Sequence, residues 1–369
     1  MVKRLFIPFL FIFFISNYVV SAETGFQPSP LCCNCHEQKY MEWKNSAMML
    51  GMNDIIFSKF YESVPGELKE ECLMCHSPAA FLNKDMDFKM LSSKENIQCD
   101  FCHTAKNIIK KEKFNYYEFD PGFMKRGNLK DPEANLHVGV FSPLHTRSEF
   151  CSVCHEYRFK GTIPMDTTYS EWEKSGLGNN GKHCQDCHMR PYTFKYDGES
   201  QNYYRHTFDG PMKVAFGMDE ENKTAEIISD ALDVNGEIVR MKGKSEITVN
   251  IINSGAGHAV PASSHGLRRL VAEIEAYDEK GTVVLKDIKR MGLYLSNDSG
   301  EEEIFFWKAS KITSDSRILS GDKRTFIFTT DSAVKGVRVK LYENLIPEQT
   351  ALKLKIQHYS VILKEVDLK

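Results

Sequence analysis

Cysteine is missing from the second half of this chain. All eleven cysteines lie between positions 32 and 187 of 369, so residues 188–369 hold neither a disulfide framework nor a thiolate metal site. A strong charge of either sign is also missing. With 47 basic and 50 acidic residues the net charge is −3, which offers no case for nucleic acid or an anionic membrane surface as partner. No low-complexity tract interrupts the sequence. At 42% apolar and 26% charged residues the composition is that of an ordinary globular protein, long enough for two or three domains.

The N-terminus carries M-V-K-R, an apolar run over 5–20 and V-S-A before Glu23. This is the pattern of a secretory signal peptide, residues 1–22, cleaved after Ala22. The alternative is a retained anchor, since the apolar run nearly reaches the roughly 17–25 residues of a spanning helix. Cleavage predicts a periplasmic or otherwise exported chain with no stable membrane span. Loss of Lys3 and Arg4 leaves 45 basic against 50 acidic residues, net −5.

Ten of the cysteines fall into one motif repeated five times: C-C-N-C-H at 32–36, C-L-M-C-H at 72–76, C-D-F-C-H at 99–103, C-S-V-C-H at 151–155 and C-Q-D-C-H at 184–188. C-x-x-C-H is the attachment site of c-type haem. Two thiols form thioethers with the vinyl groups on one porphyrin edge, and the next imidazole binds the iron as proximal ligand. The predicted cofactors are five covalent haems, on Cys32 and Cys35, Cys72 and Cys75, Cys99 and Cys102, Cys151 and Cys154, and Cys184 and Cys187. The proximal ligands are His36, His76, His103, His155 and His188. Zinc sites use paired cysteines too, and exported cysteines form disulfides, but neither demands a histidine after the second cysteine every time. Cys33 is left over, either a thiol packed beside the first ring or one free for an intermolecular disulfide.

First cysteines are 40, 27, 52 and 33 residues apart, which excludes a simple tandem repeat. So little chain cannot build a separate core around each haem. The porphyrins must supply much of the apolar interior, joined by short helices and loops such as 37–49, where Tyr40, Trp43 and Ala47 share a helical face.

Electron-transfer haems commonly fill both axial positions. Seven histidines remain outside the motifs: His137, His145, His183, His206, His258, His265 and His358. His145, His206, His258, His137 and His183 are the candidates for distal ligands. His265 is a weaker one. His358 follows an alternating run, Leu352, Leu354 and Ile356, that reads as a strand, and is taken as structural. In N-S-G-A-G-H-A-V-P-A-S-S-H, residues 253–265, glycines and a proline shape an irregular loop around His258. From about Met218 the apolar period becomes two, as at Ile247, Val249 and Ile251 and at Leu270, Ala272, Ile274 and Ala276, with turn signals between the runs. This reads as a β-sandwich of immunoglobulin-like type without a catalytic triad.

In order and wording, the run C-C-N-C-H with Y-M-E-W-K-N-S-A, N-I-Q-C-D-F-C-H-T, S-P-L-H before F-C-S-V-C-H, T-Y-S-E-W before C-Q-D-C-H-M, H-T-F and N-S-G-A-G-H-A-V-P resembles multihaem c-type cytochromes of the cytochrome c-552/c-554 type, related to the electron acceptor of hydroxylamine oxidoreductase. The resemblance implies distal ligation by His145, His206 and His258. It departs at Ser46-Ala47-Met48, where such proteins often place a ligating histidine, so Met48 or Met49 joins the candidates for the first haem. It departs again at Ala262-Ser263, where threonine-glycine is more usual.

The expected architecture is α+β in two parts. A haem-packed, mostly α and loop cytochrome domain spans 23–215, and an all-β sandwich spans 216–369 and lends the loop 253–265 as a distal ligand to the haem half. The expected function is electron transfer in respiration between redox partner proteins, through mostly bis-histidine haems and with no catalytic residue. The alternative is an oxidoreductase with one open iron, most plausibly the first, acting on nitric oxide, nitrite, hydroxylamine or a sulfur oxyanion. A membrane-anchored quinol oxidant is a third reading. The absence of a C-x-x-C-K motif favours the carrier.

Overall fold

The computed structural model describes residues 25–111, 114–130, 132–196, 199–219, 223–262 and 266–369. The proposed signal peptide and His265 lie outside these. Helices and strands are both plentiful, in an α+β protein.

Through residue 215 the helices are short because the motifs and their turns keep interrupting them. The helical turn suits the motif, since residues i, i+3 and i+4 share one face. The second motif ends the helix Gly66–His76, the third lies in Cys99–Thr104 and the fifth forms Cys184–His188. The fourth begins in the 3₁₀ turn Ser148–Val153. Backbone bonds from His36 to Cys32 (2.8 Å) and from His155 to Cys151 (2.9 Å) show the same turn in the first and fourth.

The predicted helix over 37–49 is broken. Glu37–Lys44 and Ala47–Leu50 are separate, and at the break the Ser46 hydroxyl bonds to the Trp43 carbonyl (2.6 Å). Side chain-to-backbone bonding of this kind competes with helix continuation. This half also holds more sheet than the sequence suggested. Four two-stranded ladders pair Ala105–Ile109 with Tyr116–Phe119, Met124–Gly127 with Val138–Phe141 in parallel, Tyr157–Phe159 with Ile163–Asp166, and Pro191–Tyr196 with Glu199–Tyr204.

The C-terminal half contains a two-stranded ladder of Leu293–Ser296 with Lys311–Asp315 and two larger antiparallel sheets. One joins β1 (Leu232–Met241), β2 (Lys244–Asn253) and β5 (Lys323–Thr330) in the order β5-β2-β1. The other joins β3 (Arg269–Tyr277), β4 (Val283–Met291), β6 (Gly336–Asn344) and β7 (Ser360–Leu368) in the order β4-β3-β6-β7. Along β2 the odd residues Ile247, Val249 and Ile251 are fully buried. They share one core with Leu270, Ile274, Val339 and Leu341 of the other sheet. This period-two pattern is what a strand with one covered face produces. Each such side chain contributes about 1.5–3 kcal/mol by burial.

The run at 352–356 is not a strand. Leu352 and Leu354 belong to the helix Glu348–Leu354, which follows Pro347 and is closed by Lys355 at φ 57°, and Ile356 lies just beyond it. Leu352 is 71% exposed. Three alternating apolar residues were too short a sample to fix a period.

Apolar clusters join the halves. Helix Ile55–Ser63 is capped by the Asp54 carboxylate, which accepts from Ile56 N at 2.8 Å. Its Ile56 and Phe60 pack with Leu267, Leu345, Ile346 and Ala351. Val64, Phe159 and Ile163 meet Leu293, Leu295 and Phe306.

Candidate haem sites

None of the eleven cysteines, Cys33 included, is joined to another by a disulfide. The motifs lie against one another. Cys32 is within hydrogen-bonding reach of Cys99, Cys75 of Cys154, and Cys151 of Cys184. Cys102 is near enough to Cys151 and Cys154 for their charges to interact. Motif one therefore adjoins three, and motif four adjoins two, three and five.

Several motif imidazoles are held so that one ring nitrogen is left for a metal. A ring whose Nδ1–H is held by an acceptor keeps the tautomer that frees Nε2 for a metal. His103 Nδ1 is 2.6 Å from the Arg126 carbonyl, and His188 Nδ1 is 2.6 Å from the Asp209 carbonyl. His76 bonds to the backbone of Gly51. Gly51 has φ +36°, and a Cβ there would stand 2.4 Å from the His76 carbonyl oxygen, so glycine is required for this approach. His155 differs, because its Nδ1 lies 3.0 Å from the Asp166 carboxylate.

Burial keeps the carbonyl-bonded rings neutral, with lone pairs available. It holds His76 down to about 4 and lowers His103 and His188. For His155 burial also opposes charge, but the charge of Asp166 and its hydrogen bond outweigh it and push the imidazole up to about 9.

Three motif histidines face a second imidazole. Ring centroids are 6.0 Å apart for His36 and His137, 5.9 Å for His103 and His206, and 6.2 Å for His188 and His258. Metal–imidazole bonds of about 2 Å each, plus the ring radii, put opposed centroids roughly 6 Å apart around one ion. His206 Nδ1 is near the Tyr204 carbonyl (3.2 Å) and His258 Nδ1 near the Ala259 carbonyl (3.0 Å), so each frees Nε2. Burial holds His206 down to about 3.

His145 is also 6.0 Å from His103, yet its Nε2 meets the Cys102 carbonyl at 2.9 Å and its buried Nδ1 has no partner. His183 opens the fifth motif's helix, where Asp186 and its own ring cap the turn, and it stands 5.6 Å from Trp172. Met48 and Met49 lie in Ala47–Leu50, where their carbonyls accept from Ile97 N (3.3 Å) and the Asn96 amide (2.6 Å). His358 keeps a buried, unpartnered Nε2.

The His258 loop is held from both halves. Asn253 donates to the His258 carbonyl (2.8 Å), while Ala259 N donates to Glu171 Oε2 (3.0 Å). Arg317 pairs with the other Glu171 oxygen at 2.9 Å. Neither Gly255 nor Gly257 has positive φ. They are needed for space instead, since a Cβ would meet the Asp230 carbonyl at 2.1 Å or the Leu177 side chain at 2.8 Å.

The surroundings fit haem. Phe123, Leu136 and Val138, close to His137 in sequence, are 79%, 76% and 56% exposed, an apolar surface that a porphyrin would cover. Asp166 was missed by the sequence reading. Its only local signal, a carboxylate two residues before the Thr168 amide, is that of an ordinary helix-start turn.

The family described as cytochrome c554 and c-prime matches residues 31–104, which hold the first three motifs. A penta-heme cytochrome c552 from Thermochromatium tepidum has the same fold, with TM-score 0.73 and 20% identity over 93% of this chain and 98% of that one. The sporulation control protein Spo0M from Bacillus subtilis, at 14% identity, aligns over 37% of this chain and 48% of its own with TM-score 0.13, too low to carry an argument. No curated protein matches. Repeated attachment motifs, the family match across the first three of them and the shared fold all support a multihaem c-type cytochrome.

Proposed function

We propose that the protein is an exported electron carrier with five covalent haems, one on each motif, cleaved after Ala22 and working between redox partner proteins in respiration. The observation that carries this reading is the set of opposed imidazole pairs at about 6 Å on motifs whose thiols touch. His36, His76, His103, His155 and His188 are the proximal ligands, and each motif's two cysteines hold its ring. His137 closes the first iron, ahead of Met48 or Met49, His206 the third and His258 the fifth. An iron with a proximal imidazole has one axial position left, so His145 and His206 cannot both serve the third. The free Nε2 of His206 fits it better.

The neighbouring motifs support a reading in which a haem held by Cys151, Cys154 and His155 would stand between the others, and would supply a route for electrons from the first and third motifs to the second or fifth. Each carbonyl-bonded proximal ring orients its Nε2 and excludes the alternative tautomer. The haem supplies the one-electron chemistry, and the chain fixes distance, axial ligand and surroundings. The two sheets sharing one core support the reading of residues 216–369 as a sandwich, which docks on the haem half at 23–215 through helix Ile55–Ser63 and the His258 loop.

One observation keeps an enzymatic reading in view. Among the described residues, no second imidazole stands about 6 Å from His76 or His155. An open iron would therefore belong to the second or fourth motif rather than the first, with a small nitrogen or sulfur species as ligand. His258→Ala tests the carrier reading. It is expected to turn one low-spin haem high-spin and carbon monoxide-reactive, and unchanged spectra would refute the assignment. Carbon monoxide binding to the wild-type protein would favour the open-iron reading.

A further inference from the structure

The proximal imidazoles divide by their acceptors. His76, His103 and His188 face neutral backbone carbonyls, and His155 faces a carboxylate. The carboxylate is itself fixed. Its Oδ2 meets His155 Nδ1 at 3.0 Å, while Oδ1 accepts from Thr168 N at 2.9 Å and from the Thr168 hydroxyl. Both acceptor bonds come from the start of helix Thr168–Ser175, so Asp166 does not rely on a flexible side chain for its orientation.

We propose that Asp166 is a positioning residue for the fourth haem that sets its reduction potential below those of the haems whose proximal rings face carbonyls. The inference rests on the reading that His155 ligates the iron on Cys151 and Cys154. A charged acceptor makes a hydrogen bond about twice as strong as a neutral one. It draws the Nδ1 proton and gives the ring imidazolate character, making Nε2 a stronger donor. A stronger donor stabilises ferric iron over ferrous, and the nearby negative charge acts in the same direction. A hydrogen bond to an iron ligand is one of the established levers on haem potential.

The position gives the lever its consequence. Cys154 lies beside Cys75, and Cys151 beside Cys184, so a haem on the fourth motif would neighbour those on the second and the fifth. A lowered potential there puts an uphill step between the two arms. It makes the junction a gate on one-electron traffic rather than a passive site in a wire.

The test is a spectroscopic redox titration of the holoprotein, with attached haems counted by intact mass. Asp166→Asn is expected to raise one midpoint by roughly tenfold in its one-electron equilibrium, about 59 mV, and leave the others in place. Asp166→Glu should recover part of the shift. Thr168→Val removes a donor that partly neutralises the carboxylate, so it should move the same midpoint downward. A structural disturbance would instead move both variants the same way. The inference is overturned by an unchanged D166N titration, by a common shift of all haems, or by D166N and T168V moving in one direction. If D166N fails to mature, T168V decides alone, and no downward shift overturns the inference. A wild-type mass lacking the haem at motif four defeats the underlying ligand reading instead, and the two failures are distinguishable.

Discussion

The two halves solve the problem of an interior differently. In the C-terminal half, strands from two sheets bury a continuous set of aliphatic side chains, including Ile247, Ile251, Leu270, Ile274 and Leu341. In the N-terminal half, the cluster around the first and third motifs has only Phe26, Ala79 and Phe101 fully covered. Its segments are tied by polar bonds instead. Glu95 accepts from Ser29 N (2.8 Å), Asp100 accepts from Gln27 N (2.8 Å), and Trp43 donates to the Ile97 carbonyl (2.7 Å). One half carries its core in its own sequence. On the proposed reading the other takes much of its core from the haems, and that difference can be tested directly.

The largest effect should follow from withholding haem. Chain produced without the attachment machinery is expected to lose helical circular dichroism and resist proteolysis only beyond about residue 220, with the strand signal kept. Equal survival of both halves would erase the distinction. Next, Ile274→Ala should cost about 2–5 kcal/mol, as large-to-small changes in a packed core do. Denaturant melting would show that loss in the strand signal while haem absorption stays unchanged at low denaturant. Gly255→Ala should come third. Its Cβ would stand 2.1 Å from the Asp230 carbonyl, so the loop must shift, and one haem should gain partial high-spin character on the electron paramagnetic resonance spectrum. Glu171→Gln should do the same more weakly, since it keeps an acceptor for Ala259 N and loses the oxygen that faces Arg317 and the Thr167 hydroxyl. Smallest of all is Lys286→Ala. Its pairs with Glu273 and Glu275 are solvent-exposed, and such pairs contribute little, so neither melting nor spectra should change measurably.

The same contrast explains what could be read from the sequence. The attachment motifs were legible because that chemistry dictates residue types at fixed spacing, and the strands β2 and β3 because one-sided burial forces a period of two. The ladders in the haem half were not, because Ile108, Ile109, Tyr116 and Tyr117 pair across a short loop without sustained alternation. The run at Leu352, Leu354 and Ile356 misled because three residues fit a helix as well as a strand. His137 stood among the candidates, but its place opposite His36 depends on a tertiary approach that no spacing encodes. Asp166 was hidden for the same reason, eleven positions from His155 and disguised as a turn residue.

Intact mass spectrometry of the matured protein addresses the central claim most directly. The account predicts the mass of the chain from Glu23 plus five haems, with all five lost together only when every motif is mutated. A matured species carrying no haem, or one whose thiols at Cys32, Cys72, Cys99, Cys151 and Cys184 remain open to alkylation, would contradict it.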